Sequence, residues 1–322
     1  MKKWTEPQRA PLRGAVVGVG YLGTFHAQKY LKNENIQMMG VCDFNKAQAE
    51  KVAHQLGTKV WANPQSLLGH VDMVTIAAST QSHYELCETF LNAGVAVNVE
   101  KPLAARLDQA EALVNLADSK KVPLAVGHIE RFNPAIVELK RLISKLGSIK
   151  IIDLQRMGPF RTRGSDVNVL YDLAIHDVDL LYWLTDGQDV THFLAQGTSM
   201  VSKELDTAKI SIEMSHKILA NISVSRVHPH VSRSIRVVGT LGTMVANTAA
   251  GTLELIQKNP HPKDEGDFLR VTTETVEKAD ALQAETDAFV SCLLRGVPMA
   301  VSGHDGLKAM RLIADIEKQI SK

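Results

Sequence analysis

Over roughly its first 125 residues the chain alternates short apolar runs with segments of helical period. The runs GAVVGV (14–19), IQMMGVC (36–42), VDMVTIAA (71–78), VAVNVE (95–100) and VPLAV (122–126) predict five strands. Between them YLGTFHAQKYLK, NKAQAEKVAHQLG, SHYELCETFLNAG and RLDQAEALVNLADSKK predict helices. Nearly continuous apolar strands separated by helices make a parallel sheet covered on both faces. The pattern changes near Gly127. A helix over about 134–145 leads to SIKIIDLQRM, then to a loop rich in glycine and arginine, then to LYDLAIHDVDLLYWL (170–184). From 190 to 248 the segments AKISIEMS, KILANISVSRV, SRSIRVVGT and GTMVANT read as strands with short links, hence a mostly antiparallel sheet. Residues 259–268 are a polar excursion, and helices over about 278–295 and 303–321 close the chain. The expectation is an α/β protein of two domains. Residues 1–126 form a doubly wound parallel sheet; residues 127–322 form a second α/β domain with an open, mostly antiparallel sheet, whose last helix can pack back on the first.

The first strand runs into GVGYLG, a G-x-G-x-x-G in which Gly18, Gly20 and Gly23 bracket Tyr21 and Leu22 at the start of a helix. In that context the first glycine makes the tight turn and the second admits a pyrophosphate to the backbone. The third lets helix and strand pack, and the helix N-terminus faces the phosphates. Asp43, twenty residues after Gly23 at the end of the second strand, is placed to hold both ribose hydroxyls. A 2′-phosphate would be repelled there and no arginine follows in DFNKAQ, so NAD is expected rather than NADP. This is a Rossmann domain. Other polar residues also gather at strand ends: Ser79, Thr80 and His83 after the third, Glu100-Lys101-Pro102 after the fourth, Gly127-His128 after the fifth. That edge of an open parallel sheet is where ligands sit. Beside a nicotinamide cation the Lys101 ammonium would be destabilised, and it suits stabilising a substrate oxygen that gains negative charge. A solvated lysine opening a loop is the other reading of the same residue.

Composition narrows the field. At 322 residues, 45% hydrophobic and 22% charged, the chain suits two soluble domains of ordinary size. A formal charge of +1 gives no argument for nucleic acid or a membrane surface. Cys42, Cys87 and Cys292 lack the spacing of a zinc or redox motif and fit reduced thiols. With neither a secretory leader nor a membrane-length apolar run, a cytoplasmic protein is expected.

On a regular helix Asp172, His176 and Asp179 fall within a narrow arc of LYDLAIHDVDLLYWL. Three ligands on one face could hold a metal, but no matching His or Cys cluster supplies a fourth, so no metal is expected. Asp177 points off that arc and is expected to be solvated or paired. An imidazole whose ordinary pKa lies near neutrality serves as base for oxidation of an alcohol and as acid for the reverse. Asp172, one turn earlier, could orient it or contact a substrate hydroxyl. A helix-capping Asp172 and a satisfied, partly buried His176 are the structural alternatives.

In that order GVGYLG, AASTQSHYE, NVEKPLA, GHIERFNP and DLAIHDVDLLYW resemble the marks of the glucose–fructose oxidoreductase/inositol dehydrogenase (Gfo/Idh/MocA) family across almost the whole chain. The resemblance implies a Rossmann domain and a C-terminal α/β domain whose open sheet often forms an oligomer interface, hence a homodimer or homotetramer. It implies catalytic roles for Lys101, Asp172 and His176, with Lys101 acting from the other domain, and a peptide before Pro102 that in related enzymes can be cis. GHIERFNPAI, RMGPF and DLAIHDVDLL look most like the branch that oxidises UDP-sugars, notably UDP-N-acetylglucosamine 3-dehydrogenases. Their 3-keto products are aminated by a partner enzyme and enter lipid A or other surface glycans. In that reading His128, Arg131, Asn133, Arg156, Arg161 and Arg163 serve the substrate, since arginine recognises phosphate in bidentate fashion. Oxidation of a free sugar or inositol, with the arginines structural, is the enzymatic alternative. A sensor of sugar or dinucleotide, as in relatives that have lost catalysis, and a tetrapyrrole reductase are the others; the retained Lys101, Asp172 and His176 disfavour both.

Overall fold

The computed structural model describes residues 4, 6, 9–160 and 167–321; Arg161 and Arg163 lie outside the described residues. The chain divides into two compact units, 1–129 with 281–310 and 130–280 with 311–322. In the first, β1 (Leu12–Val17), α1 (Tyr21–Lys32), β2 (Ile36–Cys42), α2 (Lys46–Leu56), β3 (Met73–Ile76), α3 (Thr80–Asn92), β4 (Ala96–Glu100), α4 (Leu107–Lys120) and β5 (Leu124–Gly127) follow in alternation. All five strands pair in parallel in the order β2-β1-β3-β4-β5. The direction of winding reverses between β1 and β3, the place where an open α/β sheet leaves a crevice for a ligand. Strand β1 stops at Val17, short of the apolar run that predicts it, because Gly18 turns to φ +83°.

In the second unit come α5 (Pro134–Leu142), β6 (Ile149–Met157), a π-helical turn (Leu170–Ala174) leading straight into α6 (Ile175–Leu184), β7 (Val190–Thr198), β8 (Thr207–Met214), β9 (Ile218–Ser225), β10 (Ser232–Gly239), β11 (Gly242–Asn247), β12 (Thr252–Lys258) and β13 (Leu269–Thr275). They form one eight-stranded sheet in the order β13-β12-β11-β10-β6-β9-β8-β7. Every pair is antiparallel except β6 with β9. Its strands alternate as a half-covered sheet must. On β8, Ala208, Ile210, Ile212 and Met214 are buried while Lys209, Ser211 and Glu213 face out. Helices α5 and α6 pack on this sheet. Three strands, β7, β12 and β13, go beyond those named from the sequence. In β13 all seven residues are exposed, so no burial pattern marks it.

Helices α7 (Ala281–Arg295) and α8 (Gly303–Ile320) close the chain. Phe289, Val290 and Leu293 of α7 complete a core with Leu12, Tyr30 and Ile36. Gly306 of α8 lies so close to β5 that a Cβ would meet Val126 at 2.7 Å. Met310 is the last α8 residue of the first unit. All three cysteines are free, with Cys42 and Cys87 buried.

Candidate active site

The first unit carries a dinucleotide cradle. A Cβ on Gly18 would stand 2.5 Å from the Ala78 nitrogen, and one on Gly23 would stand 1.8 Å from the Gly18 oxygen. Both positions therefore demand glycine. Gly20 differs: nothing lies within 4 Å of its missing Cβ, which leaves open space in front of the helix start. Gly20 caps α1 without a side chain, and the start of a helix, here Tyr21 and Leu22, is where backbone amides can meet an anion. Thr24 Oγ1 donates to the Gly20 oxygen at 2.7 Å and shapes the turn from behind. Asp43 is fixed at the end of β2 by two backbone donors, Val19 N at 2.7 Å to Oδ2 and Asn45 N at 2.8 Å to Oδ1. Its carboxylate stays half-exposed, as a ribose-holding group must. The residues present fit NAD.

Ser79 caps α3 and is exposed, with Thr80 next to it at the helix start. His83 lies deeper. Only 1% exposed, it reaches the Pro102 oxygen from Nδ1 at 2.8 Å and the Ala78 oxygen from Nε2 at 3.2 Å. Its place is that of a brace between the end of β3 and the loop after β4. Glu100 likewise turns inward, with Oε1 2.8 Å from His26 Nε2. Lys101 follows it, half-buried, and the Lys101–Pro102 peptide is cis. His128 is buried, 1% exposed.

In the second unit the helix bearing Asp172 and His176 does not start as a regular one. Asn168 caps it, accepting from Leu170 N at 3.0 Å, and the Ile175 amide reaches back five residues to the Leu170 oxygen. That wide turn rephases the helix, and turns of this kind cluster at functional sites. Asp172 and His176 stay half-buried while Asp177 and Asp179 are 1% exposed. The single arc expected for Asp172, His176 and Asp179 is thus split: Asp179 points into the protein.

The reason is ionic. Arg131 grips Asp179 through Nε (2.8 Å) and Nη2 (2.6 Å). Arg156 reaches Asp177 Oδ1 from Nε (3.1 Å) and Nη2 (2.9 Å) and gives Nη1 to Glu130 Oε1 at 2.6 Å. Arg131 is 8% exposed and Arg156 is 5% exposed. Burial alone would raise both carboxyls. It wins at Asp177, whose pKa stays raised against the opposing guanidinium, while at Glu130 the Arg156 charge and hydrogen bond outweigh it and the pKa is lowered. Buried guanidiniums bound to carboxylates tie α6 to β6 and to the segment before α5, which is the structural alternative to the diphosphate role expected of Arg131 and Arg156. Asn133 is the N-cap of α5, accepting from Ala135 N at 3.1 Å. Sequence reasoning passed over Glu130, His26, Asn98 and Glu285. Asn98 alone gave a signal, as a polar residue inside the buried strand VAVNVE. Among the described residues no three His, Cys, Asp or Glu side chains gather as a metal site requires.

Comparison with known proteins agrees with this layout. The family model described as oxidoreductase family, NAD-binding Rossmann fold, matches residues 12–128, and that of the family's C-terminal alpha/beta domain matches residues 140–322. The UDP-N-acetylglucosamine 3-dehydrogenase of Acidithiobacillus ferrooxidans is 31% identical over 299 residues, covering 93% of this chain and 94% of that relative. Its solved structure superposes with a TM-score of 0.90, covering 96% of this chain and 97% of that one. Inositol 2-dehydrogenase of Rhizobium meliloti is 24% identical, covering 94% of each chain.

Proposed function

Since the chain belongs to the Gfo/Idh/MocA oxidoreductase family, and is thereby an NAD-dependent dehydrogenase acting on CH–OH donors, we propose that its substrate is a UDP-sugar, oxidised at the 3-hydroxyl, with UDP-N-acetylglucosamine the best candidate. The observation that carries this reading is the match to a UDP-N-acetylglucosamine 3-dehydrogenase over more than nine-tenths of both chains, in sequence and in fold. The buried Arg131 and Arg156 favour a second reading, an inositol or free sugar, because they remove two of the four arginines expected to meet a diphosphate. Arg161 and Arg163 are left to that role.

NAD, when bound, supplies the hydride acceptor. The chain's residues do the rest. His176 takes the proton from the hydroxyl oxygen, the Lys101 ammonium stabilises the charge that builds on that oxygen, and Asp172 keeps the imidazole oriented. The amides at the start of α1 hold the pyrophosphate, and Asp43 accepts from the ribose hydroxyls. The product is a 3-keto nucleotide sugar, suited to an aminotransferase on the route to an amino sugar of lipid A or another surface glycan. Leu194 of β7 and Leu219 of β9, 61% and 53% exposed on the sheet's outer face, suit self-association as a dimer or tetramer. Among the described residues no helix is long and apolar enough to cross a membrane.

NADH formation across UDP-sugars, free hexoses and inositols, with a keto acceptor supplied in parallel, tests the substrate. UDP-N-acetylglucosamine is expected to lead the panel; turnover of an inositol with none of any UDP-sugar would transfer the assignment to the second reading. UDP-sugar thermal shifts without turnover would favour a sensor. Asp43→Ala tests the cofactor assignment. It is expected to weaken NAD by roughly 10- to 100-fold, the loss of charge-assisted hydrogen bonds of about 1.5–3 kcal/mol, and to raise NADP use relative to NAD. An unchanged NAD/NADP ratio would refute the ribose contact.

A further inference from the structure

Inside the first unit a polar layer occupies ground where the apolar pattern of β4 asks for aliphatic side chains. Asn98 and Glu100, two apart on β4, point to the same face. Asn98 Nδ2 donates to Glu285 Oε1 of α7 at 3.0 Å, and Glu100 Oε1 lies 2.8 Å from His26 Nε2 of α1. Next to Asn98 on β3, the Thr75 hydroxyl lies 2.8 Å from that of Tyr30. On β5, a Cβ at Gly127 would press on Glu100 Oε2 at 3.1 Å, so this glycine makes room for the carboxylate. His26 is 1% exposed, Asn98 3% and Glu285 4%.

Two carboxyl groups and one imidazole are thus enclosed together. The charged and titratable groups around them are His26, Lys29 and Tyr30 from α1, Glu285 from α7 and Glu100 from β4; Thr75 and Gly127 bring none from β3 and β5. With the His26 imidazole protonated against Glu100, neutrality of His26, Glu100 and Glu285 as a set leaves one carboxylate and one carboxylic acid. Burial identifies the acid. It pushes Glu285 up to about 7, with His26 opposing and Glu100 adding to the rise. Burial also disfavours the His26 cation, but the hydrogen bond to Glu100 and the charges of Glu100 and Glu285 outweigh it, and the His26 pKa is raised. Such a cluster costs stability compared with aliphatic packing, and it is joined to a candidate catalytic group by the chain itself: Glu100 is followed by Lys101.

We propose that His26 and Glu285 are positioning residues that hold Glu100, and through its backbone Lys101, by means of one proton retained in this buried cluster. The proposal rests on Lys101 acting in the dehydrogenase reaction. When Glu285 releases its proton to solvent, a second carboxylate faces Glu100, and the segment Glu100–Lys101 shifts.

The test uses the full chain labelled with 15N-lysine, the Lys101 amide resonance being identified by its loss in Lys101→Arg. With NAD bound, that resonance is expected to move between about pH 5 and 8, with a midpoint near the Glu285 value of about 7. In Glu285→Gln, which keeps an acceptor for Asn98 but cannot titrate, it is expected to stay in place, and the pH profile of kcat to lose the same inflection. A Lys101 amide that stays still in the wild type, or moves equally in Glu285→Gln, overturns the proposal. Because the resonance is read without substrate, that failure is distinguishable from failure of the dehydrogenase assignment, which the substrate panel decides. Stability gives a second readout. The Glu285 penalty grows from the ordinary carboxyl pKa up to about 7, and the His26 gain is lost as pH rises through its raised value. Wild-type stability should therefore fall with rising pH in that window, and less so in Glu285→Gln; equal slopes would also overturn the proposal.

Discussion

Replacing His176 by alanine is expected to lower kcat by about 10²–10⁴-fold, the usual contribution of a positioned general base, while NAD affinity stays at the wild-type value. His176 sits one residue past the join of the π-helical turn to α6, and it remains half-buried while the next residue, Asp177, is fully enclosed. The cofactor cradle is built from the first unit's own residues, Gly18, Gly20, Gly23 and Asp43. Removing an imidazole from the second unit should therefore leave the cradle intact. Steady-state NADH formation and equilibrium NAD titration read the two effects separately. Equal losses in turnover and NAD affinity would show a folding defect in place of a lost base. The acid limb of the kcat/KM profile should vanish with the imidazole, and Asp172→Asn should alter that limb without abolishing it, as the orienting role proposed for Asp172 requires.

What the sequence revealed is what depends on neighbours along the chain. The G-x-G-x-x-G was legible because strand, turn and helix start lie within twelve residues, and Gly18 and Gly23 turn out to have no room for a side chain. Asp43 was legible because βαβ units set its distance from the glycines. The buried arginines were not. Arg131 meets Asp179 across 48 residues and Arg156 meets Asp177 across 21, so both appeared as surplus cations open to a phosphate. Asn98 and Glu285, 187 residues apart, are a more extreme case of the same limit. The burial of Asp179 was hidden in the same way: it shares the regular turns of α6 with His176, and what draws it inward is the distant Arg131 rather than the helix period. Strand β13 escaped because alternation marks a strand only where one face is covered.

Arg156→Met should cost about 3–5 kcal/mol of folding stability, the usual penalty for removing one partner from a buried ion cluster. That is a large share of the 5–15 kcal/mol typical of a folded domain. Arg156 supplies three hydrogen bonds to two carboxylates, and with it gone Asp177, 1% exposed, and Glu130, 8% exposed, must either stay charged without that partner or take up a proton. Arg233, 3.8 Å from Glu130, is itself half-exposed and cannot take over the role at Asp177. The pH dependence has a definite sign. Loss of the guanidinium raises the folded-state pKa of both carboxyls above their unfolded values. The mutant's deficit should therefore shrink as pH falls toward the ordinary carboxyl range, and be fullest above the raised values. Urea unfolding of wild type and Arg156→Met at several pH values measures this. Pairing the change with Asp177→Asn should recover part of the loss, because the uncompensated charge is the main cost. The same experiment separates the two roles open to this arginine. A guanidinium that served a diphosphate would leave stability almost untouched and raise KM for a UDP-sugar many-fold. One that pins the helix next to His176 unfolds the protein more easily, and weakens turnover only through the displacement of that histidine.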